Sequence, residues 1–356
     1  MKIIPLNKAK YGMILAMDIR DTTGKIIFKK NSEINEEVIS TLKKFGIFNI
    51  PVSSLKVTQK ISQEAFKHSV ISPEILDLNY EKIKDVFKNL ESNNNLDIDA
   101  VIDIASSIKN EIENNYSDIL FVPLKKLKSF DEYLYAHSLN VMIISSLLAV
   151  ESKILGDELL DISISSLLHD IGKTKVPIEI MNAPRVLNEE EMNIMRNHVL
   201  YGKKIAIESG IKDKNIIGGI YEHHERVDGK GYLEKKNGNE ITVFGKIVAI
   251  ADVYDALTSV RSYKGPWSPY KTISFILTNV EKQFDGTFAQ GLINAFGIYP
   301  AGTRVQLSNG QFGTVIASNR SNKIRPLIKI DHGDVLDLSK EKNLRIVKVL
   351  DYILIE

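Results

Sequence analysis

The sequence predicts a mostly α protein in which a helical central domain is flanked by a small β-rich module at the N-terminus and a small β domain at the C-terminus. Residues 116–297 carry apolar residues at helical spacing almost continuously. Short apolar runs separated by turn signals occupy 1–55 and 298–356. The polar range 56–115, which follows the N-terminal module, is predicted to be a helical linker or regulatory segment. These four ranges are the predicted segment boundaries.

The N-terminal segment is predicted to contain a hairpin and one helix. Apolar runs at 13–16 and 26–28 flank a turn signal at 21–24, as in a hairpin. Apolar residues at helical spacing over 34–42 then predict a short helix that ends at Gly46.

Helical spacing predicts most of the remaining elements. Two helices in the linker segment are separated by a polar break at 92–95, and the second runs from about 97 to 114. In the C-terminal segment, Asn309-Gly310 indicates a tight hairpin within a small sheet or barrel. In the central domain we predict helices at about 131–150, 157–169, 189–208, 213–225, 243–262, 270–283 and 287–296.

The composition excludes several kinds of site. Hydrophobic residues make up 44% and charged residues 26% of the chain, as in an ordinary soluble globular protein. A net charge of +1 gives no global field for a nucleic acid polymer or an anionic membrane. Because cysteine is absent, thiolate zinc sites, iron–sulfur clusters and cysteine nucleophiles are excluded. A metal site would use His, Asp, Glu and water, which suit Fe, Mn, Zn or Co.

The apolar pattern indicates a cytoplasmic protein without membrane insertion. The N-terminus lacks the apolar region and cleavage site of a signal peptide. The densest apolar run, near 141–150, has about half of the ~20 residues that span a bilayer.

An adjacent His169-Asp170 pair is the first indication of a metal site. The pair follows an apolar helix, and Gly172 and Lys173 come directly after it. A glycine at this position is expected to let the backbone turn sharply. One imidazole nitrogen and two carboxylate oxygens suffice to ligate one metal and bridge to another. A polar helix end is the alternative, but an unpaired buried pair would be costly. Five of the seven histidines lie between positions 137 and 224, which favours the metal site.

Two further signals lie downstream. His223-His224 precedes a loop rich in glycine and charge, although the pair alone is also compatible with a solvated helix end. Asp252 lies on a helix that is apolar nearly all round, where a buried carboxylate needs a cation or hydrogen-bond donors. Asp255, one turn on, is better suited to a supporting contact than to ligation.

Two single histidines complete the pattern. His137 begins a strongly apolar helix, and His198 is predicted in mid-helix. Each alone is more often a packed or surface histidine than a ligand. They become candidates only through their order relative to the pairs.

The ordered pattern closely resembles the HD-GYP family, a subgroup of the HD-domain phosphohydrolases that hydrolyses the bacterial second messenger cyclic di-GMP. The resemblance covers about 116–297. The second histidine pair and the Gly-Tyr loop distinguish this subgroup from general HD hydrolases. The residues that carry it are His137, His169-Asp170-x-Gly172-Lys173, His198, His223-His224-Glu225-Arg226-x-Asp228-Gly229-x-Gly231-Tyr232, Asp252, Arg261 and Lys264.

The resemblance implies a catalytic HD-type helical domain that holds divalent metals, with Fe or Mn favoured. A metal-bridged hydroxide would attack phosphorus, giving pGpG and, with further cleavage, GMP. Asp170 would bridge the metals, and Lys173 would hold the attacking water or stabilise the leaving oxygen. The implied ligands are His137, His169, Asp170, His198, His223, His224 and Asp252. The implied substrate contacts are Arg261, Lys264, Tyr232, Asp228 and Gly231.

Two departures from the family pattern matter. Leu233 stands where the name motif has proline, so the loop should be similar but less rigid. Some members carry a glutamate one turn before the first histidine that helps bind a third metal. Tyr133 occupies that position here, and Glu132 is one residue off. The comparison therefore favours two metals over three.

Three other functions compete with hydrolysis of cyclic di-GMP. A related cyclic dinucleotide such as cyclic GMP-AMP would need only different base contacts. A non-catalytic sensing module would be marked by lost ligands, and none is lost. A general HD nucleotidohydrolase is disfavoured by the second histidine pair. The 56–115 segment could regulate access, support a homodimer or dock a partner.

Overall fold

The computed structural model describes residues 2–9, 13–21, 23–30, 32, 34–53, 65, 67–122, 124, 133–181, 183, 185–259, 267–331 and 333–350. The chain divides into two compact units. The first comprises 1–67, 301–316 and 325–356, and the second comprises 68–300 and 317–324. The four predicted segment boundaries stay a prediction.

The N-terminal part of the first unit contains a three-stranded antiparallel sheet, a two-stranded ribbon and one helix. The sheet has the order β1-β5-β2, and β3 pairs with β4 in the ribbon. The helix packs its buried Val38 and Leu42 into a small apolar core. The elements are β1 (Lys2–Pro5), β2 (Ile14–Leu15), β3 (Ile19–Arg20), β4 (Ile26–Phe28), α1 (Glu36–Lys44) and β5 (Asn49–Ser53).

The predicted hairpin between 13–16 and 26–28 is wrong, whereas the predicted helix is confirmed. Strand β2 pairs with β5, and β4 pairs with β3. The Asp21 carboxylate accepts hydrogen bonds from the amides of Thr23 and Lys25. This tight turn pairs β3 with β4, the strands directly beside it. The apolar run at 13–16 therefore pairs with β5, farther along the chain. Helix α1 ends just before Gly46, which has φ +70°.

The second unit is a helical assembly around one apolar core. Buried side chains of α2–α5 and α8–α12 form a single contiguous cluster. This confirms the mostly α fold class. The elements are α2 (Pro73–Asn93), α3 (Ile98–Asn115), β6 (Ile119–Leu120), α4 (Tyr133–Glu151), α5 (Asp157–Leu167), a 3-10 turn (Ile171–Lys175), α6 (Ile178–Met181), α7 (Glu189–Arg196), α8 (His198–Glu208), α9 (Lys214–Glu222), α10 (Val243–Thr258), α11 (Pro269–Thr278) and α12 (Gly286–Phe296).

Helix α4 is the central helix of this core. Its window Leu134–Glu151 is long and apolar enough to cross a membrane by length and composition. However, 78% of that window is buried inside the protein. Its apolar character is therefore accounted for by packing against the neighbouring helices.

The helix predicted over 189–208 is two helices, α7 and α8, which separate at Asn197. The Asn197 amide is shared between the carbonyls of Asn193 and Ile194 instead of continuing one regular ladder. The Met195 carbonyl lies 2.8 Å from Nδ1 of His198. His198 therefore begins α8 rather than lying in mid-helix, and its ring takes a backbone acceptor.

The C-terminal strands form an antiparallel sheet with the order β10-β9-β8-β7-β11. The predicted hairpin at Asn309-Gly310 is confirmed, with Gly310 at φ +86°. Strand β6 pairs through Ile119 and Leu120 with Asn319 and Ser318. The strands are β7 (Arg304–Leu307), β8 (Phe312–Asn319), β9 (Leu327–Ile330), β10 (Val335–Asp337) and β11 (Ile346–Val349).

Gly172 allows the turn after the His169-Asp170 pair to lie directly against α8. A Cβ at this position would overlap the carbonyl oxygen of His198 and the amide nitrogen of Gly202. The sequence suggested a sharp turn as the reason for this glycine. The structure gives close approach as the reason, because Gly172 has no positive φ.

We expect Gly172→Ala to lower the free energy of unfolding by about 2–4 kcal/mol, because backbone atoms must move to admit the methyl group. Urea unfolding followed by circular dichroism measures this. The matched control is Gly291→Ala in α12, where the nearest atom to a new Cβ lies 3.5 Å away. That change should be neutral or stabilising by up to about 1 kcal/mol. Equal effects at the two glycines would contradict this account.

Candidate metal centre

Four buried histidines are held in the same way, with Nδ1 facing an acceptor. Oxygen acceptors of this kind carry no hydrogen, so each neutral ring has its proton on Nδ1 and a lone pair on Nε2. For His137 the acceptor is Asp255 Oδ2, which lies 2.7 Å from Nδ1. The other three face the carbonyl three residues earlier: His169 faces Ser166 at 2.8 Å, His198 faces Met195 at 2.8 Å, and His223 faces Ile220 at 3.0 Å.

The Nε2 atoms of these rings converge in two pairs. Those of His137 and His169 are 3.2 Å apart, and those of His198 and His223 are 3.4 Å apart. With the protons on Nδ1, these are contacts between lone pairs. Such contacts are repulsive in a buried site unless a cation lies among them. The arrangement therefore fits a metal ion better than a hydrogen-bonded network.

Asp170 lies between the two pairs and directs one oxygen to each. Its Oδ2 is 3.5 Å from Nε2 of His137 and 3.4 Å from Nε2 of His169. Its Oδ1 is 3.3 Å from Nε2 of His198 and 3.9 Å from Nε2 of His223. Although Asp170 is 1% exposed, its Oδ1 has no hydrogen-bond partner among the described residues. The Lys173 ammonium contacts Oδ2.

Asp252 and His224 complete the two groups. Asp252 Oδ1 is 3.1 Å from Nε2 of His137, and its Oδ2 is 4.0 Å from Nδ1 of His224. Within each group the candidate ligand atoms all lie within 4.8 Å of one another. The structure thus brings together all seven predicted ligands. One group is His137, His169 and Asp252, and the other is Asp170, His198, His223 and His224.

The protonation states suit metal ligation. Burial, followed by repulsion from neighbouring histidines, holds the pKa of His223 well below its ordinary value. Burial likewise lowers the pKa of His224 to about 3. Burial alone would raise the pKa of Asp170, but Lys173 and the neighbouring histidines hold it well below its ordinary value. Neutral imidazoles and ionised carboxylates are the forms that bind divalent metals.

The predicted substrate contacts have different surroundings. The Tyr232 ring stacks on that of His224, with centroids 4.8 Å apart. A Cβ on Gly231 would overlap the backbone of Glu225. Asp228 accepts two hydrogen bonds from the guanidinium of Arg226, at 3.0 and 2.8 Å. Its carboxylate therefore helps to close the loop.

Some predicted positions cannot be placed. Arg261 and Lys264 lie outside the described residues, as do Glu132 and the side chain of Tyr133. The preference for two metals over three therefore stays a prediction.

A cleft of about 240 Å³ opens beside the second group of ligands. Its wall includes two cationic side chains, Arg226 and Lys230, and the Gln283 amide. Such a lining suits an anionic ligand with polar edges. The lining residues are His223, His224, Glu225, Arg226, Lys230, Gly231, Tyr232, Ala249, Val253, Gln283 and Phe284.

Sequence reasoning gave no role to the residue that anchors the Gly-Tyr loop. Glu225 is buried, and its carboxylate accepts hydrogen bonds from the amides of residues 234, 235 and 236 at 2.7–3.1 Å. Glu222, one helical turn earlier, accepts from Lys236 Nζ and the Thr242 amide, each at 2.7 Å. Two acids three residues apart before a glycine-rich loop are the signal that could have identified them.

Asn140 was also missed, whereas Asp255 makes the supporting contact that was predicted for it. Asn140 Nδ2 donates to Asp255 Oδ1 at 2.8 Å. Asn140 lies three residues after His137, so the spacing placed both on one face of α4.

We expect metal-free protein to lose stability as the pH falls from 7 to 5. Both His223 and His224 have lowered pKa values, so below about pH 6.5 the unfolded chain binds protons that the folded chain does not. The expected loss is about 2 kcal/mol per histidine. The lowered pKa values of Asp170 and Asp252 act below about pH 4, outside this window.

Urea unfolding of chelator-treated protein at several pH values measures this loss. His224→Gln removes one titrating group and should reduce the pH dependence by about half. A flat profile between pH 7 and 5 in the unsubstituted protein would contradict the expectation.

Comparison with known proteins agrees with this geometry. Residues 125–288 match the family model described as HD domain. The cyclic di-GMP phosphodiesterase PA4108 of Pseudomonas aeruginosa is 32% identical over 207 residues, which cover 58% of this chain and 50% of that protein. The cyclic di-GMP phosphodiesterase response regulator RpfG of Xanthomonas campestris is 30% identical over 213 residues, which cover 58% of this chain and 54% of that protein.

A third relative has a different named substrate. The 3'3'-cGAMP-specific phosphodiesterase 2 of Vibrio cholerae is 36% identical over 130 residues, which cover 36% of this chain and 25% of that protein. The chain spans about half the length of the first two curated relatives. The matched range contains all seven candidate ligands and the loop that follows the second histidine pair. Residues 125–288 of the chain therefore match the HD-domain family.

Proposed function

We propose that the protein is a metal-dependent phosphodiesterase that hydrolyses cyclic di-GMP to pGpG, with further cleavage to GMP as a second step. The observation that carries this proposal is the position of Asp170, whose two oxygens face different histidine pairs. A carboxylate so placed could contribute one oxygen to a metal held by each histidine pair. Two adjacent metals are a recurrent solution for displacement at phosphorus. The names of two relatives support the substrate.

The proposed cofactor is a pair of divalent metals, with Fe or Mn favoured. The ligand set contains five imidazoles, two carboxylates and no thiolate. It also admits Zn, Co or Ni. When bound, such metals polarise the phosphoryl oxygens and lower the pKa of a coordinated water.

Side chains around the ligands have separate parts in the proposed reaction. Lys173 is 23% exposed and contacts Asp170, so its ammonium can reach a phosphate held at the metals. It would donate a hydrogen bond to the departing oxygen as the phosphorus–oxygen bond breaks. Arg226 and Lys230 on the cleft wall would attract the second phosphate. Tyr232, stacked on His224, would keep that ring in place.

A related cyclic dinucleotide is the second candidate substrate. The relative that is 36% identical and named for 3'3'-cGAMP supports it. The two substrates differ in one base, so contacts to the base edges decide between them. Gln283 presents an amide in the cleft and is the described side chain best suited to such a contact. A non-catalytic sensing role is disfavoured because all seven ligands converge.

We also propose a cytoplasmic location and cyclic di-GMP as the principal partner. The one described helix that is apolar enough to span a membrane is mostly buried, which supports a location in solution. A homodimer is a further proposal, to be tested by light scattering.

We expect His169→Ala combined with Asp170→Ala to reduce turnover of cyclic di-GMP to the background rate, because both metal positions lose a ligand. Protein purified without oxygen is analysed for metal content and assayed with cyclic di-GMP and 3'3'-cyclic GMP-AMP side by side. The circular dichroism spectrum should be retained. His68→Ala, a histidine outside the site, is the control. Undiminished turnover in the double variant would refute the mechanism, and a preference for cyclic GMP-AMP would replace the proposed substrate.

We expect Lys173→Met to lower kcat on the order of 100-fold with KM and metal content little changed, because the cation acts on charge that develops during bond breaking. Steady-state kinetics and metal analysis measure both effects. Lys175→Met is the matched control, since Lys175 is exposed and pairs with Asn94. If the two variants had the same kcat, Lys173 would have no part in the reaction.

A further inference from the structure

The environment of His137 differs from that of the other three histidines held through Nδ1. His169, His198 and His223 each face a backbone carbonyl. His137 is the fifth residue of α4, where the preceding carbonyls belong to the helix ladder. Its acceptor is instead a carboxylate supplied by another helix, Asp255 on α10.

Asp255 is held on every side by donors. Its Oδ2 lies 2.7 Å from Nδ1 of His137. Its Oδ1 accepts from Asn140 Nδ2 at 2.8 Å and from the Ser259 hydroxyl at 3.1 Å. Asp255 is 1% exposed, and His137 and Asn140 are each 2% exposed. A buried carboxylate that receives three hydrogen bonds is fixed in position.

The residues that interact across α4 and α10 have the same spacing on both helices. His137 and Asn140 are three residues apart on α4, and Asp252 and Asp255 are three residues apart on α10. His137 therefore lies between two carboxylates, with Nδ1 on Asp255 and Nε2 at 3.1 Å from Asp252. An anion behind an imidazole increases the electron density that the opposite nitrogen offers to a metal.

We propose that Asp255 is a positioning residue that sets the affinity of one of the two metal positions, and leaves the other unaffected. The affected position is that of His137, His169 and Asp252. The reason is that the Asp255 carboxylate hydrogen-bonds to His137, Asn140 and Ser259, whereas the second group consists of Asp170, His198, His223 and His224. This inference rests on the two-metal site proposed above.

Release of metal to a chelator in excess tests the proposal without reference to activity. The release of two metal equivalents per chain is followed by the absorbance of the metal–chelator complex. In Asp255→Asn, one equivalent should leave on the order of 10- to 100-fold faster than in the unsubstituted protein, and the other at an unchanged rate. Asn is isosteric but presents either a neutral acceptor or a donor to Nδ1. The effect is thus electronic and positional rather than steric.

Two further variants make the result specific. His224→Gln removes a candidate ligand from the second group alone, so it should accelerate release of the other metal equivalent. Asn140→Ala leaves Asp255 in place but removes one of its donors. It should accelerate the same equivalent as Asp255→Asn, by a smaller factor, and it serves as the test if Asp255→Asn does not fold.

The outcomes separate this proposal from the proposed function. Equal acceleration of both equivalents by Asp255→Asn, or of neither, would overturn the role of Asp255. A single metal equivalent in the unsubstituted protein would overturn it together with the two-metal site. Selective release without turnover of either cyclic dinucleotide would uphold it and refute only the proposed reaction.

Discussion

The convergence of unprotonated nitrogens and carboxylate oxygens on one buried volume is the constraint on which the rest of the structure depends. Four imidazoles have their Nδ1 atoms committed to oxygen acceptors, so their Nε2 lone pairs face one another across 3.2 and 3.4 Å. The rings approach this closely only because helices, caps and backbone carbonyls hold them there. The fold holds the rings in place, and a bound cation would offset the repulsion between their Nε2 lone pairs.

The surrounding structure holds this arrangement at several points. Gly172 lets the turn after the His169-Asp170 pair contact the beginning of α8, which brings His198 towards Asp170. The break at Asn197 provides the carbonyl that orients His198. The Glu225 carboxylate accepts hydrogen bonds from three backbone amides and fixes the loop that carries Tyr232. Each of these contacts is local, yet each determines where a ligand or its neighbour lies.

The candidate ligands and the supporting contact of Asp255 could be predicted from the sequence, whereas the other supporting contacts could not. Adjacent pairs such as His223-His224 are rare in packing roles, and Asp252 on an apolar helix requires a partner, so residue type and order carried the information. The break at Asn197 accompanies a contact between the His198 ring and the Met195 carbonyl. Helical periodicity in the sequence gives no sign of such a contact. The pairing of β2 with β5 is fixed by a contact nearly 40 residues away, beyond the reach of a local turn signal. The three amides on Glu225 likewise come together only in the folded loop.

Helix α10 contributes both to the groups of candidate ligands and to the cleft wall, and this has a thermodynamic consequence. It carries Asp252 towards the ligand groups, and its Ala249 and Val253 form part of the cleft wall. A displacement of this one rigid element would alter both surfaces together. Occupancy of the ion positions and affinity for a molecule in the cleft are then linked quantities, and linkage is reciprocal. If the proposed function holds, any factor by which bound ions raise the affinity for a cyclic dinucleotide is the factor by which that nucleotide raises the affinity for the ions.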